Sequence, residues 1–156
     1  MPTRRDLVLS LPALAMASET MVSQAMASFS QTSSTPSKEE LSHSKVFGIR
    51  GLPISDSPSG TFQHVATGKL PTGEQVEIHN TTLNPGAMPH PAHRHAHTEF
   101  MIIREGSLSW ILGEESFTAG PGDILYARSM ELHGLKNIGS TVARYAVIAI
   151  GSDAGK

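Results

Sequence analysis

From Lys45 to the end of the chain, short apolar segments alternate with residues that accept turn dihedrals, a pattern that predicts strands rather than helices. The predicted strands are Lys45–Arg50, Phe62–Thr67, Gln75–Leu83, Phe100–Arg104, Ser107–Leu112, Ser116–Ala119, Ile124–Ala127, Leu132–Asn137 and Val142–Ile150. Turn signals separate them, including Asn84-Pro85-Gly86, Glu105-Gly106, Gly120-Pro121-Gly122 and Asn137-Ile138-Gly139. No window sustains the apolar period of a helix. Strands this short and this closely spaced indicate an all-β sandwich or barrel, and a barrel or jelly roll also disposes of sheet edges. In Gln75–Leu83, period-two geometry places Val76, Ile78 and Asn80 on one face and Glu77, His79, Thr81 and Leu83 on the other. The pattern of this segment leaves open which face is inward.

Ahead of the strands the pattern changes. Arg4-Arg5 precede an apolar run from Leu7 to Ala17, about as long as the apolar region of a signal peptide and too short to span a bilayer. Small residues flank Met16 and Met26, which predicts cleavage after Ala17 or Ala27 and a signal peptide over 1–27. The paired arginines resemble a twin-arginine export signal, with Leu7 and Asp6 as departures from it. That resemblance implies export of a folded, cofactor-loaded protein to the bacterial periplasm or beyond, with no stable membrane anchor after cleavage. Residues 28–43 are rich in Ser, Thr and Pro and poor in apolar side chains, as expected of a flexible linker. The folded domain is then expected over 44–151.

Composition narrows the chemistry. At 156 residues the chain has room for one domain. The net charge of −2, with no basic stripe interleaved with aromatics, argues against a nucleic-acid partner. Cysteine is absent, which excludes disulfides, a thiolate nucleophile and Cys-based metal sites. Any metal chemistry must come from carboxylates and the eight histidines, of which His79, His90, His93, His95 and His97 lie in one stretch. His43 and His64 read as ordinary surface residues.

Within that stretch, His93 and His95 are spaced so that on a strand both imidazoles share a face. Glu99 opens the next apolar segment and can bring a carboxylate to the same point, and His133 offers a fourth donor. These residues resemble the two motifs of the cupin superfamily. His93, His95, Glu99 and Gly106 fit the first, G-x5-H-x-H-x3-4-E-x6-G, and Gly122, His133 and Asn137 fit the second, G-x5-P-x-G-x2-H-x3-N. Gly86 stands one residue further from His93 than the first motif asks. Arg128 and Met130 replace the Pro and Gly of the second.

The resemblance spans roughly Glu74 to Ile150. It implies a double-stranded β-helix, or jelly-roll barrel, holding one divalent transition metal (Fe, Mn, Zn, Ni or Cu) on His93, His95, Glu99 and His133. Imidazole with one carboxylate suits late first-row ions, and four protein ligands leave positions for water or substrate. The activity implied is that of a metalloenzyme acting on a small oxygen-rich organic molecule, of dioxygenase, decarboxylase, isomerase or lyase type. The alternative is a non-catalytic barrel that binds a sugar or an anion. Glu99 and His97 are the candidates for proton transfer. Met101, Trp110, Tyr126 and Arg128 are the candidates for the substrate pocket, Arg128 because a guanidinium pairs with a carboxylate. Apolar edges at Lys45–Arg50 or Val142–Ile150 suit pairing into a homodimer.

Overall fold

The computed structural model describes residues 39–156, so the expected signal peptide and most of the expected linker lie outside the described residues. Ten strands follow in order: β1 (Glu39–Glu40), β2 (Ser55–Ser57), β3 (Gly60–Lys69), β4 (Gln75–Leu83), β5 (Thr98–Glu105), β6 (Leu108–Leu112), β7 (Glu115–Ala119), β8 (Ile124–Ala127), β9 (His133–Asn137) and β10 (Ala143–Ile150). No helix occurs among the described residues. One sheet has the order β1-β3-β4-β10-β5-β8, with β2 paired to β3, and the other has the order β7-β6-β9. Eight of the nine expected strands are present, and Gln75–Leu83 and Ile124–Ala127 coincide with theirs.

The core lies between the two sheets, and strand parity fills it. On β5, Met101 and Ile103 are buried while Phe100 and Ile102 are exposed, so Glu99, two residues before Met101, shares the inner face. Leu108 and Trp110 of β6, Leu125 and Ala127 of β8, Leu135 of β9 and Tyr145 and Val147 of β10 complete the same cluster. The face of β4 that the sequence left open is also settled. His79, Thr81 and Leu83 line the interior cavity, and Val76 and Ile78 line an outer depression with Leu41 and Phe47.

Two expectations require correction. Lys45–Arg50 forms no strand. Val46 is 92% exposed and Ile49 45%, and the backbone turns at once, with the Leu52 N–H donating to the Ile49 carbonyl. Apolar character alone does not make a strand where no neighbour supplies a ladder. Val142–Ile150 is no free edge, because β10 runs between β4 and β5 and pairs with both. Neither segment is therefore an edge strand of these sheets. Pairing and burial also occur outside 44–151. Glu39–Glu40 pairs in parallel with Gly68 and Lys69, and Ala154 beyond the last strand is 3% exposed.

Two motif positions show why the chain needs the residues it has. Gly106 turns the β5–β6 connection at φ 87°, and a Cβ there would come within 2.7 Å of Ala143, a space that only glycine leaves free. Asn137 at the end of β9 is fully buried. Its amide donates to the carbonyls of Leu83 (2.9 Å) and Thr141 (2.8 Å), and its side-chain oxygen accepts from the Gly139 N–H (2.9 Å). It thereby ties β4, β9 and the turn before β10 together. Met130, where the cupin motif carries Gly, is the one non-glycine residue with positive φ among those described, at 63°.

Asn137→Ala should lower the unfolding free energy by about 3 kcal/mol, because it leaves buried backbone groups without partners. Chemical denaturation measures this, and a loss below about 1 kcal/mol would contradict the role given to Asn137. Met130→Gly should act in the opposite direction. Relief of the left-handed backbone outweighs the extra chain entropy, for a gain of about 0.5–1 kcal/mol by the same measurement. An unchanged or lower stability would show that Met130 carries no strain.

Candidate metal centre and cavity

His93 and His95 lie outside the strands, in the connection from β4 to β5, so strand parity is not what orients them. An isolated bridge does this instead. The His93 N–H donates to the His133 carbonyl (2.9 Å), the His133 N–H donates back (3.1 Å), and the Met130 N–H donates to the His95 carbonyl (2.8 Å). The two motifs are thus joined backbone to backbone, and the imidazoles of His93, His95 and His133 project into one space. The ring centroids of His93 lie 5.1 Å from His95 and 5.0 Å from His133, and His95 lies 4.6 Å from His133.

Hydrogen bonds to carbonyls fix two of these rings. His95 Nδ1 donates to the carbonyl of His97 and His133 Nδ1 to that of Glu131, each at 2.8 Å. A neutral ring that donates from Nδ1 carries its lone pair on Nε2, and the Nε2 atoms of His95 and His133, with Nδ1 of His93, are buried without a hydrogen-bond partner. Such groups are costly to leave unmade. Donor atoms of His93, His95 and His133 all lie within 4.8 Å of one another, as do those of a second set, His95, His97 and Glu99. Either set could hold a metal ion, and the chemistry of the donors, imidazole with at most one carboxylate, fits a late first-row ion.

Glu99 stands between the two sets. Its Oε1 is 3.5 Å from His95 Nε2 and 3.1 Å from His97 Nε2, and its Oε2 is 3.7 Å from His133 Nε2. Burial by itself would push this carboxyl up, but the surrounding imidazoles of His133, His97 and His95 hold it near pKa 2. Burial also dominates at His93, and with repulsion from the His90, His133 and His95 rings it lowers that imidazole to about 4. For His133, burial is opposed by Glu99 and the Glu131 carbonyl, and the net direction is upward. His97 stacks on His95 with ring centroids 3.6 Å apart and planes at 8°. Its other nitrogen, Nδ1, meets the Asp153 carboxylate at 3.0 Å.

A cavity of about 280 Å³ opens beside Glu99 and His133. Met101 and Trp110 line it, as expected, and the Trp110 ring lies 5.4 Å from that of His133. Tyr126 and Arg128 do not. Tyr126 alternates with the buried Leu125 and Ala127, so it faces outward and packs on Phe100 at 5.2 Å. Arg128 is exposed and its guanidinium stands 3.8 Å from the carboxylate of Glu131.

Sequence reasoning missed Tyr145, Thr81, His79 and Asp153. The first three lie on inner faces that the alternation of β10 and β4 could have identified once one buried residue of each strand was known. Tyr145 is 4% exposed, and burial pushes its phenol up to about 12, so the hydroxyl is a neutral donor within the cavity. His79 is held by the buried Glu77, whose carboxylate accepts from Nδ1 at 2.8 Å. Asp153 lies beyond the last strand, where no periodicity points to it.

Two sheets rolled around the imidazole cluster form a jelly-roll barrel, the fold of the cupins. Within the chain, residues 79–149 match the family model of the cupin domain. No curated protein sequence is significantly similar to this chain. Among solved structures, it is similar to an RmlC-like cupin from Shewanella frigidimarina (16% identity, TM-score 0.59, covering 70% of this chain and 94% of that one). It is also similar to a predicted oxalate decarboxylase from Thermotoga maritima (15%, 0.58, 69% and 100%) and to KdgF from Halomonas sp. (18%, 0.59, 69% and 95%). At these identities the likeness is one of fold.

These shifts imply a pH dependence for the metal-free protein. His93 is harder to protonate folded than unfolded, so its contribution to stability is present above pH 6.5 and is lost as pH falls from there toward 4. Glu99 holds its proton less tightly folded, so its contribution is present above 4.5 and is lost as pH falls toward 2. His133 acts in the opposite sense, favouring the fold below 6.5 and less so as pH rises through its folded value. Glu99→Gln should therefore remove a loss on the order of 3 kcal/mol between pH 4.5 and 2. Thermal melts of both proteins across this range test it, and parallel curves would refute the assignment.

Proposed function

We propose that the chain is a mononuclear metal-binding cupin in which His93, His95, Glu99 and His133 hold one divalent transition ion, and that it acts as a metalloenzyme on a small oxygen-bearing organic molecule. One observation carries the reading. The buried ring nitrogens of His93, His95 and His133 lack partners, and a bound cation is the partner that removes the cost of three such groups together. When bound, the ion supplies Lewis acidity or redox chemistry at the floor of the cavity. The chain contributes the remainder. The carbonyls of His97 and Glu131 keep the rings of His95 and His133 oriented, as partners of metal-bound histidines commonly do. Glu99 and His97, 3.1 Å apart, are placed to hold or pass a proton beside the substrate, and Tyr145 keeps its proton and donates a hydrogen bond. Export of the loaded protein belongs to the same proposal and rests on the twin-arginine-like N terminus.

Elemental analysis of the purified protein should find about one ion per chain. His93→Ala and His133→Ala should each reduce this below about a tenth, since each removes one imidazole from a shared ion. Equal metal content in wild type and both variants would overturn the site. Turnover on catechols, oxalate, uronates or flavonols by the loaded protein then separates the enzyme from a barrel that only binds.

A further inference from the structure

The cavity beside the imidazole cluster has walls of two kinds. The β2–β3 hairpin and β4 contribute the hydroxyl-bearing residues Ser57, Ser59, Thr61, Thr81 and Thr82. The strands β5, β6, β9 and β10 contribute Met101, Trp110, Leu135 and Val147. No lysine or arginine is among the described residues that line it. The cations nearby in sequence face outward. Arg144 pairs with Glu105, both about half exposed, Arg128 stands beside Glu131, and Arg94 donates to the Met130 carbonyl.

The groups in the lining that can carry charge are Glu99 and the imidazoles of His79, His90 and His133. His79 is engaged by Glu77, and His90 is exposed at the rim with its ring 4.2 Å from that of His93. A divalent ion held beside the Glu99 carboxylate leaves one net positive charge. That charge lies at the floor of the cavity. A second negative charge, on the part of a ligand facing the apolar wall, would be buried without a counter-ion.

We infer that the ligand of this site is a compact molecule with an uncharged, apolar body, preferably an aromatic ring, whose oxygen-bearing end carries at most one negative charge and points toward His133 and Glu99. The inference rests on the metal-site reading and adds the substrate class. It narrows the oxygen-rich molecule, sugar or anion that the sequence left open, and sets aside multiply charged ligands. A volume of 280 Å³ is roughly twice the ~150 Å³ cavity that accepts benzene, enough for one substituted ring. The threonine hydroxyls and the neutral Tyr145 phenol suit a hydroxyl or carbonyl on its edge, while Trp110, Met101, Leu135 and Val147 face its body.

Trp110 is the only tryptophan of the chain and lines the cavity, so its fluorescence reports on occupancy. Three probes share one metal-binding head: acetohydroxamate, benzohydroxamate and 4-carboxybenzohydroxamate. Titrated into the Co(II)-loaded full chain, benzohydroxamate should bind at least about tenfold more tightly than either of the others, the ring gaining burial and the far carboxylate losing it. Equal or tighter binding of the carboxylated probe, or no gain from the ring, would overturn the inference. The chelator-treated chain keeps the test independent of the metal. There, benzamide should bind in preference to 4-carboxybenzamide, and the reverse order would overturn the substrate class whatever the metal content. Absence of cobalt binding would sink the metal reading alone.

Discussion

The geometry of the site depends on one reciprocal contact, the pair of backbone hydrogen bonds between His93 and His133. These residues are far apart in sequence and belong to different parts of the roll, one to the irregular connection before β5 and the other to the first position of β9. Backbone pairing sets their separation before any side chain is considered. The Met130 N–H, bound to the His95 carbonyl, extends the contact by one more link. The left-handed conformation of Met130 is what allows the chain to make that link and then enter β9.

The contact brings together imidazoles that each keep one buried ring nitrogen without a partner. In a folded protein this is unfavourable, both because lone pairs are left unsatisfied and because the rings resist protonation where they are crowded. The lowered pKa of His93 expresses that crowding. Among the described residues outside the cluster, one buried ring nitrogen, Nδ1 of His64, also lacks a partner, but other buried polar side chains are satisfied. Asn137 uses its amide and its oxygen fully, and Glu77 accepts from His79 through both oxygens. What sets the imidazole cluster apart is that three unpartnered nitrogens converge within 4.8 Å of one another.

What could be read in the sequence follows a physical division. Strands with a clear period and a turn at each end were legible, as Gln75–Leu83 and Ile124–Ala127 show. So was the grouping of His93, His95, Glu99 and His133, because a donor-rich stretch and a second, spaced histidine are local features of the chain. Facing was not. Tyr126 and Arg128 were assigned to the pocket by residue type, but the parity of β8 turns Tyr126 outward and the loop after it leaves Arg128 in solvent. Tyr145 was overlooked for the converse reason, since β10 is buried along most of its length and its pattern carries little alternation. Lys45–Arg50 looked like a strand because its composition is apolar, yet a strand exists only where a neighbour pairs with it. Asp153 depends on the C-terminal tail folding back, a long-range event with no local signal.

That tail bears on how the two donor sets divide the site. His97 has one nitrogen on Asp153 and the other on Glu99, and its face lies against His95. It is therefore fixed at three points, two of them within the centre. An ion held by the His93, His95 and His133 set can take Glu99 as its fourth ligand through the oxygen nearer His133, leaving the other oxygen on His97. An ion held by the His95, His97 and Glu99 set would require His97 to give up that hydrogen bond and would leave the orphaned nitrogens of His93 and His133 unmet. The first arrangement keeps the His97–Glu99 hydrogen bond and meets the orphaned nitrogens of His93, His95 and His133. On that accounting Glu99 would be the shared element, facing an ion with one oxygen and holding His97 with the other, while Asp153 holds the opposite nitrogen of His97.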